Sequence, residues 1–203
     1  MANRDNHYEA AFEEYLRARG MPYVAVDEAR RSLLSSGASI KSLDFIVAAP
    51  GQVAWLVDVK GRRFPSGDGS KQYWKNWSTA DDLRSLARWE QLFGANFRGL
   101  FVFAYDVLGD RAPLPAAELF EHREKLYGFV AVPLAAYLGH ARLISPRWDT
   151  LAMPTAKFRH YARPLSELLE PAAVNVNAEC GTMSDQCRLP EFTDFQPDDL
   201  DEF

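Results

Sequence analysis

Asp44, Asp58 and Lys60 are the residues of this 203-residue chain whose types and spacing could do chemistry. The two acids fall inside runs that are otherwise apolar, Leu43-Asp44-Phe45-Ile46-Val47-Ala48 and Val53-Ala54-Trp55-Leu56-Val57-Asp58-Val59-Lys60. A carboxylate in such a run is costly unless it is paired, hydrogen-bonded or bound to a metal. Side chains two apart on an extended strand point to the same face. One face of one strand therefore presents a metal-ligating oxygen at Asp58 and a cation at Lys60, and no other lysine in the chain has an acid two residues before it.

The elements that must position these groups are legible around them. The apolar runs on either side of Pro50-Gly51 read as a β-hairpin. Asp44 then shares a face with Asp58 only if the pairing jumps an odd number of residues, such as Pro50-Gly51-Gln52 or Ala49 to Val53, or if a bulge intervenes. An even loop without a bulge would point Asp44 the other way and break the site. Upstream, Asn6 and Glu9 have capping-box spacing, Tyr8, Phe12, Tyr15 and Leu16 recur at helical spacing, and Gly20 is a natural stop, so an amphipathic helix precedes the strands.

Tyr23 to Val26 reads as a first strand, and Asp27 to Lys41 is polar, with a short helical turn ending at Gly37 as its only suggestion of order. Gly61 to Trp77 reads as a loop. Thr79 and Asp81 open a second helix that turns Leu83, Leu86, Ala87 and Phe93 inward and closes at Gly94. Arg98 to Tyr105 is a strand reached by a βαβ crossover. Beyond it come a strand over Tyr127 to Val132, a helix start over Pro133 to Gly139, an edge segment at Leu151 to Met153, and helical pieces over Pro154 to Leu169 broken at Pro164. Trp148 and Phe158 are expected in the core.

Glu9 on the first helix, Asp44 on the second strand and Asp58-Val59-Lys60 on the third together resemble the PD-(D/E)XK nuclease superfamily, most of all its restriction-endonuclease-like and Holliday-junction-resolvase-like branch. The likeness covers roughly residues 6 to 105; Ser42-Leu43 stands where a Pro before the strand Asp is common. It implies an α/β fold with an αβββαβ core, a central mixed sheet flanked by helices, followed here by a C-terminal α/β extension. It further implies phosphodiester cleavage in DNA. Asp44, Asp58 and the Val59 carbonyl would give oxygens to Mg²⁺ or Mn²⁺, Lys60 would orient water or stabilise developing charge, and Glu9 would bind or orient the metal through water. Glu13, one turn later, is the substitute for Glu9, whose capping role needs no metal. Related resolvases act as dimers, which makes a homodimer an expectation.

The segment after Lys60 carries Arg62, Arg63, Lys71 and Lys75 interleaved with Trp74 and Trp77, a composition suited to a strand-binding rim or, alternatively, to a roof over the core. His7, His122, His140 and His160 are scattered without catalytic spacing. Residues 175–203 hold eight acids against Arg188 alone, a balance of −7 that leaves the rest of the chain at +2. We read residues 1–174 as one domain and 175–203 as an acidic tail expected to be disordered, with Cys180 and Cys187 as reduced thiols in it. No run reaches membrane-spanning length and the N-terminus lacks a secretory pattern, so a cytosolic home is expected. A second reading keeps the fold without turnover, as a module that binds DNA or protein; the weak basicity and the acidic tail motivate it.

Overall fold

The strand that carries Asp58 and Lys60 is central, and the rest of the fold follows from covering it on both faces. The computed structural model describes residues 6–26, 32–33, 39–48, 53–66, 74–109 and 111–169. In chain order these form α1 (His7–Ala18), β1 (Tyr23–Ala25), β2 (Ser32–Leu33), β3 (Ser39–Ile40), β4 (Phe45–Ala48), β5 (Ala54–Phe64), β6 (Ser78–Thr79), α2 (Ala80–Phe93), β7 (Phe97–Val107), β8 (Leu119–His122), β9 (Lys125–Pro133), α3 (Leu134–His140), β10 (Arg142–Ser145), β11 (Thr150–Ala152), α4 (Thr155–Tyr161), β12 (Arg163–Pro164) and α5 (Leu165–Leu169). The main sheet runs β1-β4-β5-β7-β9-β12, with β8 paired to β9, and a smaller sheet runs β10-β11-β6. Strand β5 is antiparallel to β4 and parallel to β7, so the sheet is mixed and α2 is the crossover. This is the expected αβββαβ core, and β8 to α5 are its α/β extension. Residues 1–172 cluster as one compact unit; the acidic tail and both cysteines lie outside the described residues.

Alternation along β5 separates two cores. Trp55, Val57 and Val59 pack under α1 with Phe12, Tyr15 and Leu16, alongside Leu165 and Leu169 of α5. Leu56 and Phe64 face the other way, onto Leu83 and Leu86 of α2 and onto Tyr137 and Phe158 of α3 and α4. With both faces covered, a central strand needs no polar alternation, which is why β7 is buried without a break from Gly99 to Asp106.

Four expectations are corrected. Strand β5 does not stop at Lys60: Gly61 to Phe64 continue the parallel ladder to Val107 of β7, because Phe64 is fully buried against Trp74 and Tyr105 and the bases between read falsely as loop. Within Asp27 to Lys41, Ser32–Leu33 pairs antiparallel with Ser39–Ile40 in place of a helical turn; Gly37 itself lies outside the described residues. Trp148 is 68% exposed where the sequence predicts a core position, although Phe158 is buried. Phe93 is 39% exposed and lies against Trp89 and Phe97 at the end of α2.

Helix α1 is seated by a close approach at Gly61, where a Cβ would fall 2.2 Å from Cδ2 and 2.5 Å from Cγ of Tyr8. Cγ moves only by rotation about χ1, so the clash is relieved only if Tyr8 leaves its rotamer and its packing or the helix shifts. Gly61→Ala is expected to destabilise the fold by about 1–3 kcal/mol, the usual cost of overpacking. Chemical denaturation checks it, and adding Tyr8→Ala should recover part of the loss; an unchanged midpoint for Gly61→Ala would contradict the close approach.

Candidate functional site

The hairpin register decides whether the acids meet. Phe45 pairs with Val57, Ile46 with Leu56, Val47 with Trp55 and Ala48 with Ala54, so the connection is the odd stretch 49–53. Continued by one position, this register sets Asp44 against Asp58. The Asp44 N–H donates to the Val57 carbonyl at 2.9 Å, and its Oδ2 accepts the Val59 N–H at 2.6 Å. Asp44 therefore straddles Asp58 along β5, its carboxylate standing where the next carbonyl of β4 would be. The Val59 carbonyl leaves the strand on the same edge as its N–H, toward Asp44.

Lys60 lies on the α2 face with Asp58, and its Nζ is 2.8 Å from Asp58 Oδ1 and 2.9 Å from Asp82 Oδ2. Asp82 is the third helical residue after the Thr79 cap, in a capping box completed by hydrogen bonds in both directions. It also accepts from Ser78 Oγ at 3.0 Å and from Lys41 Nζ at 2.5 Å. Lys41 is tied back in turn: its N–H donates to Ser85 Oγ and its carbonyl accepts from Trp89 Nε1. Asp58, Asp82 and Lys41, together with Leu43 and Leu86, line a small cleft of about 10 Å³, roughly the room of one water.

The charges are unequally settled. Burial pushes the Asp58 carboxyl up; Lys60 only partly opposes this, and the like charge of Asp82 adds to it. Burial also acts to raise Asp82, yet Lys60 and Lys41 outweigh it and hold that carboxyl well below the usual carboxylate range. Burial works against the Lys60 ammonium, and the two carboxylates more than offset it, so its pKa is raised. Asp82 is thus a committed anion with several donors, and Asp58 the weaker acid sharing one ammonium.

The structure brings Asp44, just before β4, beside Asp58, Val59 and Lys60 in the middle of β5. Glu9 is buried on α1, which packs on the opposite face, and its carboxylate accepts a hydrogen bond from Asn6 Nδ2. Among the described residues no three His, Cys, Asp or Glu side chains form a group able to hold a metal ion. Two carboxylates and a carbonyl still match the donor set of Mg²⁺, which commonly takes one or two carboxylates and keeps several waters.

The aromatic and basic rim divides. Arg62 is buried, its guanidinium donating to the Gly61 and Trp77 carbonyls and lying 3.8 Å from the Trp77 ring centre. Trp74 roofs the core against Phe64, Tyr105 and Phe158. Arg63, Lys75 and Trp77 are exposed, and Lys71 lies outside the described residues. Sequence pattern does not single out Asp82 or Lys41. Thr79 and Asp82 have cap spacing, but a first-turn acid reads as a helix start, and Lys41 closes a stretch with no pattern.

Among solved structures the chain is similar to Hjc, a Holliday junction resolvase from the archaeal hyperthermophile Archaeoglobus fulgidus, at 10% identity and a TM-score of 0.45, covering 80% of this chain and 98% of that one. Neither a protein-family model nor a curated protein matches the sequence. Among the described residues no helix is long and apolar enough to cross a membrane.

Proposed function

We propose that this protein is a metal-dependent deoxyribonuclease, an endonuclease or resolvase-like enzyme that hydrolyses phosphodiester bonds in DNA. The observation that supports it is the register at the start of β4, which sets the Asp44 carboxylate beside Asp58 while Lys60 shares the Asp58 face. Three chemical groups expected from the resemblance thereby converge, although they come from two strands joined by an odd-length connection. Asp44, Asp58 and the Val59 carbonyl would hold Mg²⁺ or Mn²⁺. When bound, such an ion supplies an activated water and neutralises charge on the phosphate.

The chain's own residues do the rest. Asp58, whose charge is poorly compensated, gains most from a cation. Lys60 can leave Asp58 and remain charged on Asp82, so its ammonium stays at hand to hydrogen-bond a phosphate oxygen or to orient the attacking water. Leu43 and Leu86, both buried, line the cleft beside Asp58, and their apolar surface lowers the local dielectric and strengthens both interactions.

The test is Mn²⁺ calorimetry on the intact chain, with cleavage of plasmid and oligonucleotide DNA followed in Mg²⁺, Mn²⁺ and EDTA. Wild type is expected to bind Mn²⁺ and to cut in either metal but not in EDTA, and Asp44→Asn and Asp58→Asn should each lower metal affinity about 10-fold or more. Absence of Mn²⁺ binding by the wild type would sink the reading.

A further inference from the structure

The small sheet β10-β11-β6 meets the site described above only through Ser78 and Thr79, which hydrogen-bond Asp82, and with its connecting turn it carries the two most exposed large hydrophobic side chains among the described residues of the chain's second half. Trp148 is 68% and Ile144 58% exposed. The stretch 140–163 contains five bases and one acid, Asp149. Of the bases, Arg142, Arg147, Lys157 and Arg159 are exposed and form no ion pair with a described residue. The Arg147 guanidinium lies 5.2 Å from the Trp148 ring centre.

The sheet's register sets Arg142 in line with Trp77. Arg142 pairs with Ala152, and Ser78 and Thr79 pair with Leu151 and Thr150. One position beyond that ladder, Trp77 falls across β11 from Arg142. Directly opposed residues share a face, and with strand spacings of about 4.8 Å the two lie about 10 Å apart on the solvent side. The turn bearing Arg147 and Trp148 is fixed to the start of α2 by the Ala80 N–H, which donates to the Asp149 carbonyl at 2.8 Å. The exposed guanidinium groups and indole rings of this sheet and its turn therefore adjoin the helix whose Asp82 holds Lys60.

We propose that this surface, built from Trp77, Arg142, Arg147 and Trp148, docks a nucleic-acid strand, with the arginines on phosphates and Trp148 stacked on an unpaired base. Charge decides for this occupant. A second copy packed face to face about a two-fold axis would bring the basic patch against itself, whereas a polyanion meets cations that have no competing acid partner among the described residues. Stacking on an exposed ring needs a base free of its duplex partner. The proposal rests on the nuclease reading for DNA as the polymer, but binding here needs neither metal nor Lys60.

The test is fluorescence anisotropy of a labelled single-stranded oligonucleotide, with a blunt duplex of the same sequence beside it, titrated with the full chain in EDTA at several salt concentrations. Trp148→Ala is expected to weaken single-strand binding by about 10-fold and duplex binding much less. Arg142→Gln with Arg147→Gln should lower the log–log salt slope by between about one and two units. All three positions are exposed, and unchanged melting temperatures will show that the variants fold. Wild-type affinity and slope in both variants would overturn the proposal, as would a wild-type dimer dissociated by Trp148→Ala. If these variants bind poorly while no DNA is ever cut, the docking surface stands and the nuclease reading fails; metal-dependent cleavage with unaltered binding has the reverse meaning.

Discussion

Lys60→Arg is expected to lose about 100- to 1000-fold in metal-dependent DNA cleavage while keeping most of the stability of the wild type. The magnitude is that of removing one preorganised donor from a developing oxyanion. The guanidinium retains the charge that Asp58 and Asp82 require, but it spreads that charge over a planar fork and cannot reproduce a compact ammonium held at 2.8 and 2.9 Å from two carboxylates. Lys60→Ala should lose cleavage to the same extent and should also destabilise the fold by about 3–5 kcal/mol, because Asp58 is left buried without its cation and facing Asp82, which keeps only Lys41 as its cation. Comparing the two variants separates chemistry from folding. Single-turnover cleavage and urea denaturation measure each side, and an arginine variant that cuts within a few-fold of wild type would remove Lys60 from the reaction.

Much of this site is legible in the amino-acid sequence. Asp44, Asp58 and Lys60 are conspicuous because charge inside an apolar β run demands a partner, and the parity of the connection between the strands poses a yes-or-no question. The register answers it in favour of the odd stretch 49–53. Strand and helix types are plain wherever period and punctuation agree, as in α1 from its Asn6 cap and α2 from Thr79 to Gly94. Legibility fails where one residue type serves two purposes. Arg62 and Trp77 have the composition of a nucleic-acid rim, yet the stacked pair fastens the segment after β5 to that strand, with Arg62 buried. Local pattern does not reveal that Gly61 to Phe64 remain in the ladder, since Phe64 is buried against Tyr105 and Trp74, which lie outside that segment.

The same ambiguity hides Asp82, and its removal should cost about as much stability as the loss of Lys60. In one side chain it closes the α2 capping box, accepts from Ser78, and holds Lys60 and Lys41. Asp82→Ala removes a cap worth about 1 kcal/mol and one partner of a buried ion pair worth about 3–5 kcal/mol when broken; these overlap, so a loss of about 3–5 kcal/mol at neutral pH is expected. Asp82→Asn can still accept from the Thr79 N–H and should recover only the cap. The pH dependence has a definite sign. The folded carboxyl titrates well below its ordinary value of 3.8, so its stabilising contribution is complete above that value and is lost as pH falls through the folded pKa. The gap between wild type and Asp82→Ala should be constant above about pH 5 and narrow steadily below about pH 4. A gap that is already small at pH 7, or that widens on acidification, would show that Asp82 is only a helix cap, leaving Lys60 to be positioned by Asp58 alone.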